Sequence, residues 1–350
     1  MAEAGPITLD IVTGFLGAGK TTLINRLLAD PALADTAVIV NEFGEISIDH
    51  LLIETGGEEG IVELGDGCLC CTVRGALVDT LAELAARRPA LRRVVVETTG
   101  LADPAPVLRA VMAHPGLSRL YRLGNVVTVV DAVNGMATLD AHEEARSQVA
   151  LADRLVLSKG ALAQEQERQA LARRLARLNP QAGLFDADAL EAAARLLEPG
   201  IAPRRVPPAG HHHAHHHDDH DHAHGPDAFR SVSLTHDRPL ARTVVENFLD
   251  LLATQQGEHI LRIKGLVETV EAPERPLLVQ GAQRLLHTPQ HLPRWPESGR
   301  GTRIVVIGDG ALDTGYIGRI FAAFAGEAQV DTPDRAALQD NPLAIPGFRR

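Results

Sequence analysis

Short apolar runs alternate with amphipathic stretches along the first half of the chain. Residues 7–14, "ITLDIVTG", form a β-branched run ending in glycine and predict a buried strand. Residues 20–30, "KTTLINRLLAD", carry helical periodicity, and Pro31 follows them. Residues 36–44, 92–100, 124–133 and 152–160 read as further strands, three of them entering glycine-bearing turns. Among and after them, 75–89 reads as an amphipathic helix and 165–180 as a helix with a charged face, closed by Asn-Pro. Strands alternating with helices predict an α/β domain on a mostly parallel sheet. The stretch 199–210 is rich in Pro and Gly and reads as a linker. Beyond it, strands are expected at 229–237, 259–269, 276–287 and 302–310, and helices at 240–254 and 313–326. That pattern predicts a smaller α+β domain. The expected division is 1–198, a linker over 199–228, a second domain over 229–327 and a tail over 328–350.

Composition narrows the function. The 350 residues suffice for two domains with real cores, and 45% apolar content is that of a globular chain. A net charge of −11 argues against nonspecific nucleic-acid binding. No apolar run reaches the roughly 18 residues of a membrane span. The opening "MAEAGPITLD" lacks a basic and an apolar export region, so a cytoplasmic protein is expected. The three cysteines, Cys68, Cys70 and Cys71, lie within four positions. So tight a cluster is a poor disulfide framework and a plausible metal or thiol site in a reducing compartment.

The segment "GFLGAGKT" at 14–21 matches G-x-x-x-x-G-K-[ST] between a strand and a helix. The expected phosphate-binding set is Gly14, Gly17, Ala18, Gly19, Lys20, Thr21 and Thr22. Glycines let backbone N–H groups approach phosphate oxygens, and the helix N-terminus adds its positive pole. Lys20 is expected to reach the β- and γ-phosphates and the Thr21 hydroxyl to bind Mg2+. A P-loop needs an acidic group near its metal at another strand end. Glu97, in "ETTG" at 97–100, is the first choice and Asp131 the runner-up; Gly100 stands where an N–H can sense the γ-phosphate.

"GFLGAGKTT" (14–22), "NEFGE" (41–45), "GCLCC" (67–71) and "ETTG" (97–100), in that order, resemble the CobW-like P-loop GTPases, a metallochaperone group. The resemblance also takes in a His-rich linker and a C-terminal domain. It implies GTP hydrolysis coupled to delivery of a transition metal, usually zinc and sometimes cobalt or nickel, to a client metalloprotein. Thiolates are soft donors suited to Zn2+, which wants about four ligands. The cysteines supply at most three, and the resemblance implies Glu45 as a further ligand. An incomplete set leaves a position for exchange, as a carrier needs; a buried or redox-reactive cluster is the alternative.

GTPases of this class read guanine with N-K-x-D after a late strand. Here Ser158 and Lys159 stand at the Asn and Lys positions, Gly160 is the spacer, and Ala161 replaces the Asp. The Lys159 stem can still pack on a base, but no carboxylate follows until Glu165. GTP is favoured by the resemblance, with ATP tolerance open.

Residues 211–225, "HHHAHHHDDHDHAHG", hold nine of the sixteen histidines: His211, His212, His213, His215, His216, His217, His220, His222 and His224. The run is internal, broken by alanines and mixed with aspartates, unlike a purification tag. Neutral imidazoles on a flexible chain bind Zn2+, Ni2+ or Co2+ in overlapping, exchangeable sites. A metal buffer is thus expected, a passive solvated linker being the alternative, whereas His114 and His287 read as ordinary surface or packed residues. The function expected is a GTP-hydrolysing metallochaperone. Its rival is a metal-storage protein with vestigial hydrolysis. No arginine finger is visible, and a nucleotide-dependent homodimer or another partner is a possible source.

Overall fold

The computed structural model describes residues 5–40, 61–63, 72–190, 192–199, 229–296 and 299–326. The first domain runs β1 (Ile7–Thr13), α1 (Lys20–Leu28), β2 (Thr36–Val40), β3 (Ile61–Glu63), α2 (Thr72–Arg87) and β4 (Arg93–Glu97). It continues with α3 (Ala105–Ala113), α4 (Leu117–Leu120), β5 (Tyr121–Asp131), α5 (Gly135–Ala141) and α6 (Glu143–Leu151). β6 (Arg154–Ser158), α7 (Glu165–Leu178) and β7 (Gly183–Asp186) complete it. The seven strands lie in the order β3-β2-β4-β1-β5-β6-β7, all pairs parallel. This is the expected α/β sheet, with β1 at its centre. The order reverses around β1, and ligands of such sheets bind at that switch, beyond the carboxyl ends of the strands.

Local sequence explains the elements near the site. In α1, Leu23, Ile24 and Leu27 form the buried stripe while Thr21, Thr22 and Asn25 face out. In α7, Gln164 and Glu167 form a reciprocal capping box, and Leu171 and Leu175 are buried. The sheet is covered on one side by a core of Leu9, Ile11, Val94, Val96, Leu108 and Val111, and on the other by Val12, Ile24, Leu27, Val95 and Val127.

The second domain contains β8 (Arg230–His236), α8 (Arg242–Gln256), β9 (Ile260–Val267), β10 (Leu277–Ala282), β11 (Leu285–His291), β12 (Thr302–Gly308) and α9 (Thr314–Phe324). Its strands form one antiparallel sheet in the order β11-β10-β9-β12-β8. Phe248 of α8 meets Phe321 of α9 edge-on at 5.2 Å within the core covering one face. The run 276–287, expected to be one strand, is instead a hairpin whose turn uses Gln283 at φ 54°. β3, β7 and α3 to α6 were not foreseen. α3 is apolar nearly all round because it is sandwiched, contacting α2 on one side and the β10–β11 hairpin on the other.

The second domain docks at the amino ends of β5 and β6, opposite the P-loop. The contact combines an apolar part, with Ala150 against Val305 and Ile307, and a buried polar part. The Gln280 amide donates to the Leu123 carbonyl at 2.7 Å and the Lys264 ammonium to Asn125 Oδ1 at 2.7 Å. Arg262 donates to Asp153 Oδ2 at 2.6 Å, and Lys264 lies 3.1 Å from the same oxygen. Burial acts to raise the Asp153 pKa, but Arg262, Lys264 and the Val126 N–H more than offset it and hold the carboxyl below its usual range. The Lys264 ammonium, buried and close to Arg262 and Arg154, is pushed down to about 8 despite Asp153.

Candidate functional site

The phosphate loop leaves β1 at Thr13 and enters α1 at Lys20. Gly14, Gly17 and Gly19 have φ of 142°, 70° and 95°, values that L side chains rarely adopt. No side chain caps α1, so its positive end is presented to the loop. The Lys20 ammonium curls back over the loop to the Gly14 carbonyl at 3.0 Å and that of Phe15 at 3.4 Å. It is thereby held above the turn where a β- or γ-phosphate would sit.

The Thr21 hydroxyl donates to Glu97 Oε1 at 3.4 Å. Parallel pairing of β1 with β4, with Val12 opposite Glu97, brings them together. Hydroxyl and carboxylate oxygens are hard donors, which suit Mg2+. Asp131, the alternative for this role, is engaged elsewhere. Its carboxylate accepts from Lys159 Nζ at 2.7 Å, the Asn134 amide at 3.1 Å and the Val133 N–H at 2.8 Å. Burial opposes this charge, but these donors keep its pKa below the usual range.

Gly100 fits against the phosphate loop so closely that a Cβ there would lie 2.6 Å from the Leu16 backbone nitrogen. Three further bonds fix this segment. The Thr98 hydroxyl donates to Thr13 Oγ1 at 2.7 Å, and the Gln148 amide donates to the carbonyls of Gly100 and Ala102 at 3.1 and 3.0 Å. Gln148 is 1% exposed, and its backbone carbonyl accepts from the Thr128 hydroxyl at 2.7 Å. The sequence reading missed Gln148; a lone amide on the buried stripe of α6 was the available signal.

At the end of β6, the Ser158 hydroxyl donates to the Ala18 carbonyl at 2.6 Å. Lys159, at φ 56°, begins a 3-10 turn over Gly160–Leu162. Its ammonium donates to the Gly17 carbonyl at 2.8 Å as well as to Asp131. The structure thus gathers Gly14, Gly17, Ala18, Gly19, Lys20, Thr21, Glu97, Gly100, Ser158 and Lys159 at the carboxyl end of the sheet. Thr22 is exposed one residue further along α1. Beside the loop lies a pocket of about 250 Å³, lined by Phe15, Leu16, Asp131, Asn134, Thr138 and Gln148 among others.

Glu45, Cys68, Cys70, Cys71 and the histidines of 211–224 lie outside the described residues, as does the tail from 327. Among the described residues no group of three or more His, Cys, Asp or Glu side chains is placed to hold a metal ion. His287 is packed, 5% exposed, with Nε2 3.2 Å from the Tyr121 carbonyl, and His114 Nδ1 accepts from the Leu117 N–H at 3.2 Å. Neither is a ligand candidate. No helix among the described residues is long and apolar enough to cross a membrane.

Residues 8–186 match the model of the CobW/HypB/UreG nucleotide-binding domain, and residues 229–325 that of the cobalamin synthesis protein cobW C-terminal domain. The chain is 33% identical to the zinc chaperone YjiA of Escherichia coli K12, covering 92% of this chain and 98% of that protein. It is also 33% identical to the zinc chaperone CobW of Pseudomonas aeruginosa, covering 88% and 89%. A zinc-regulated GTPase metalloprotein activator of Saccharomyces cerevisiae is 32% identical over 45% of this chain and 42% of its own length. The crystal structure of Zn(II)-bound YjiA GTPase from E. coli matches with a TM-score of 0.59 at 28% identity, over 92% of this chain and 99% of that one. A P-loop assembled at the centre of a parallel sheet, a docked antiparallel domain and these near-full-length likenesses place the chain in the CobW/HypB/UreG family of nucleotide-binding proteins with a cobW C-terminal domain.

Proposed function

We propose that this protein hydrolyses GTP and uses the cycle to carry zinc and deliver it to client metalloproteins. The observation that carries the hydrolytic half is the convergence of Lys20, Thr21 and Glu97 at the carboxyl end of β1 and β4. Lys20 and the loop N–H groups bind the phosphates and stabilise charge on the transferring phosphoryl group. Thr21 and Glu97 would hold Mg2+, which neutralises phosphate charge when bound. Gly100 lets its segment lie against the loop, where an N–H senses the γ-phosphate. This ordered set speaks against a storage protein with vestigial hydrolysis.

Zinc is the cargo. Its proposed ligands are Cys68, Cys70, Cys71 and Glu45, with the histidines of 211–224 as a lower-affinity reservoir for Zn2+ or, by the same imidazole chemistry, Co2+ or Ni2+. The names of near-full-length relatives, two zinc chaperones, support zinc first. The cysteines lie on the chain between the phosphate loop and Glu97, where a bound γ-phosphate can order a segment that hydrolysis releases. A nucleotide-dependent homodimer or the client is the proposed source of any further catalytic group.

The test is Zn2+ competition against a chelator with a nonhydrolysable GTP analogue or GDP bound. The two affinities are expected to differ by about 5–150-fold, the usual range of allosteric coupling, and by linkage Zn2+ shifts the GTP/GDP preference by the same factor. The double variant Cys70→Ser/Cys71→Ser should lose this coupling and keep nucleotide binding. Equal zinc affinities in both states overturn the delivery reading.

A further inference from the structure

The residue at which this fold ordinarily places its base-reading carboxylate is Ala161, a methyl group. Yet the position is not without a carboxylate. Asp188, from the loop after β7, has Oδ2 3.1 Å from the Ala161 nitrogen and accepts its N–H. Gly160 leaves room for it: a Cβ there would sit 3.3 Å from the same oxygen, close enough that the carboxylate would have to shift by a few tenths of an ångström.

The loop that carries Asp188 is braced from three sides. Arg26, in the last turn of α1, donates to the carbonyls of Ala187 and Leu190, the latter at 2.8 Å. The Ala187 N–H donates to the Leu157 carbonyl of β6 at 2.8 Å. Asp186 spends one oxygen on Arg168 of α7 at 3.1 Å and the other on the Asp188 N–H at 2.9 Å. Asp186 is therefore a positioning residue. Asp188 is solvent-exposed but held, and among the described residues only the Ala161 N–H donates to its carboxylate. A carboxylate offers about four lone-pair positions, so most of its accepting capacity faces outward.

The phosphate end of the site is joined to this end by one side chain. The Lys159 stem runs from the turn bearing Ala161 to the Gly17 carbonyl, 2.8 Å from its ammonium. A nucleotide whose phosphates lie in the loop has this apolar stem as the wall for its base.

We infer that Asp188 is the specificity residue of this site and reads guanine in place of the missing carboxylate at 161. Guanine presents two adjacent donors, N1–H and the 2-amino group, which an ionised carboxylate accepts together. Adenine presents a lone pair at N1 and only a C2–H where guanine has its 2-amino group, so that edge meets the charge with repulsion. The inference rests on the GTP-hydrolysing reading and makes that site guanine-selective without an N-K-x-D aspartate. It follows that Ala161→Asp alone adds a second negative charge against Asp188 and does not raise the preference for GTP.

The experiment measures turnover of GTP, XTP and ATP by full-length wild type and Asp188→Asn. Asparagine keeps an acceptor for the Ala161 N–H, so a residue that merely caps the turn tolerates the change. It also pairs one donor and one acceptor with xanthine, which has N1–H beside a carbonyl. The expected result is a fall of at least about tenfold in kcat/KM for GTP with a rise of at least about tenfold for XTP. Asp188→Ala should lose the preference, and Asp188→Ala/Ala161→Asp should restore it. Unchanged GTP/XTP/ATP ratios in Asp188→Asn, or equal GTP and ATP turnover by wild type, overturn the inference. Wild type that turns over no nucleotide instead defeats the hydrolytic reading itself, and the two failures are thus told apart.

Discussion

Replacing Gly100 by alanine tests whether the segment after Glu97 and the phosphate loop work as one body. The added Cβ would lie 2.6 Å from the Leu16 nitrogen and 2.8 Å from its Cα, both backbone atoms. To reach the 3.4 Å of ordinary contact, the two segments must part by about 0.8 Å. Neither yields easily. The Gly100 carbonyl is held by Gln148 at 3.1 Å, and the loop is held through the Ala18 carbonyl by Ser158 at 2.6 Å. Overpacking of this kind costs roughly 1–3 kcal/mol of stability. The functional cost reaches the upper end of that range, because misplacing a catalytic frame by about 1 Å can lose about 100-fold in rate, about 2.7 kcal/mol. The expected outcome is a fall of about 100-fold in kcat/KM for GTP, with a lowering of Tm by a few degrees. Phosphate release, GTP affinity and thermal unfolding are measured together. Gly318→Ala is the control: nothing lies within 4 Å of its Cβ position in α9, so it should stabilise by about 0.5–1 kcal/mol and leave turnover alone. Wild-type turnover and affinity in Gly100→Ala would refute the close coupling of the two segments.

Lys20→Ala should cost at least about 100-fold in turnover and weaken nucleotide binding while circular dichroism stays unchanged; wild-type phosphate release would remove the P-loop assignment. Deleting residues 211–224 should lower the number of weakly bound zinc ions and preserve one tight site and GTP turnover; loss of tight binding in metal titration would move the main site to the histidines. Asp153→Asn leaves Arg262 and Lys264, 4% and 5% exposed, without their shared anion and should cost about 3–5 kcal/mol in urea unfolding. A cost under about 1 kcal/mol would show the domain contact to be solvated. Lys264 releases its proton at about 8 when folded, against about 10.4 unfolded. Between these values the unfolded chain binds more protons, so this group's contribution to stability rises with pH. The difference in stability between wild type and Lys264→Met, followed by urea unfolding from about pH 7.5 to about pH 10, should therefore shift in favour of wild type. A difference independent of pH would place the Lys264 pKa at its unfolded value.

The P-loop was legible in the sequence because its chemistry is contiguous. Strand, glycine turn, lysine and helix lie within residues 7–28, and glycine conformation shapes the turn. Glu97 was legible for a related reason: an acid at the end of a buried run marks the carboxyl edge of a parallel sheet. The alternation of strands and helices was enough for the α/β class, since a parallel neighbour requires a crossover. Where periodicity failed, burial on more than one side was the cause. α3 shows no polar face because it lies between the domains, and the β10–β11 hairpin was read as one strand because its turn uses Gln283, not glycine. The partners of the site were beyond sequence reasoning altogether. Asp131 and Glu97 are alike as acids at strand ends. Both strands flank β1, and only the folded contacts put Glu97 of β4 beside Thr21 and leave Asp131 of β5 to Lys159. Gln148 and Asp188 reach the site from α6 and the loop after β7, through contacts that depend on which strand follows which across the sheet. The sequence determined the loop that binds phosphate and the alternation that builds the sheet, because both are local. Tertiary structure decided which side chains surround that loop, because side chains distant on the chain meet only after the sheet is ordered.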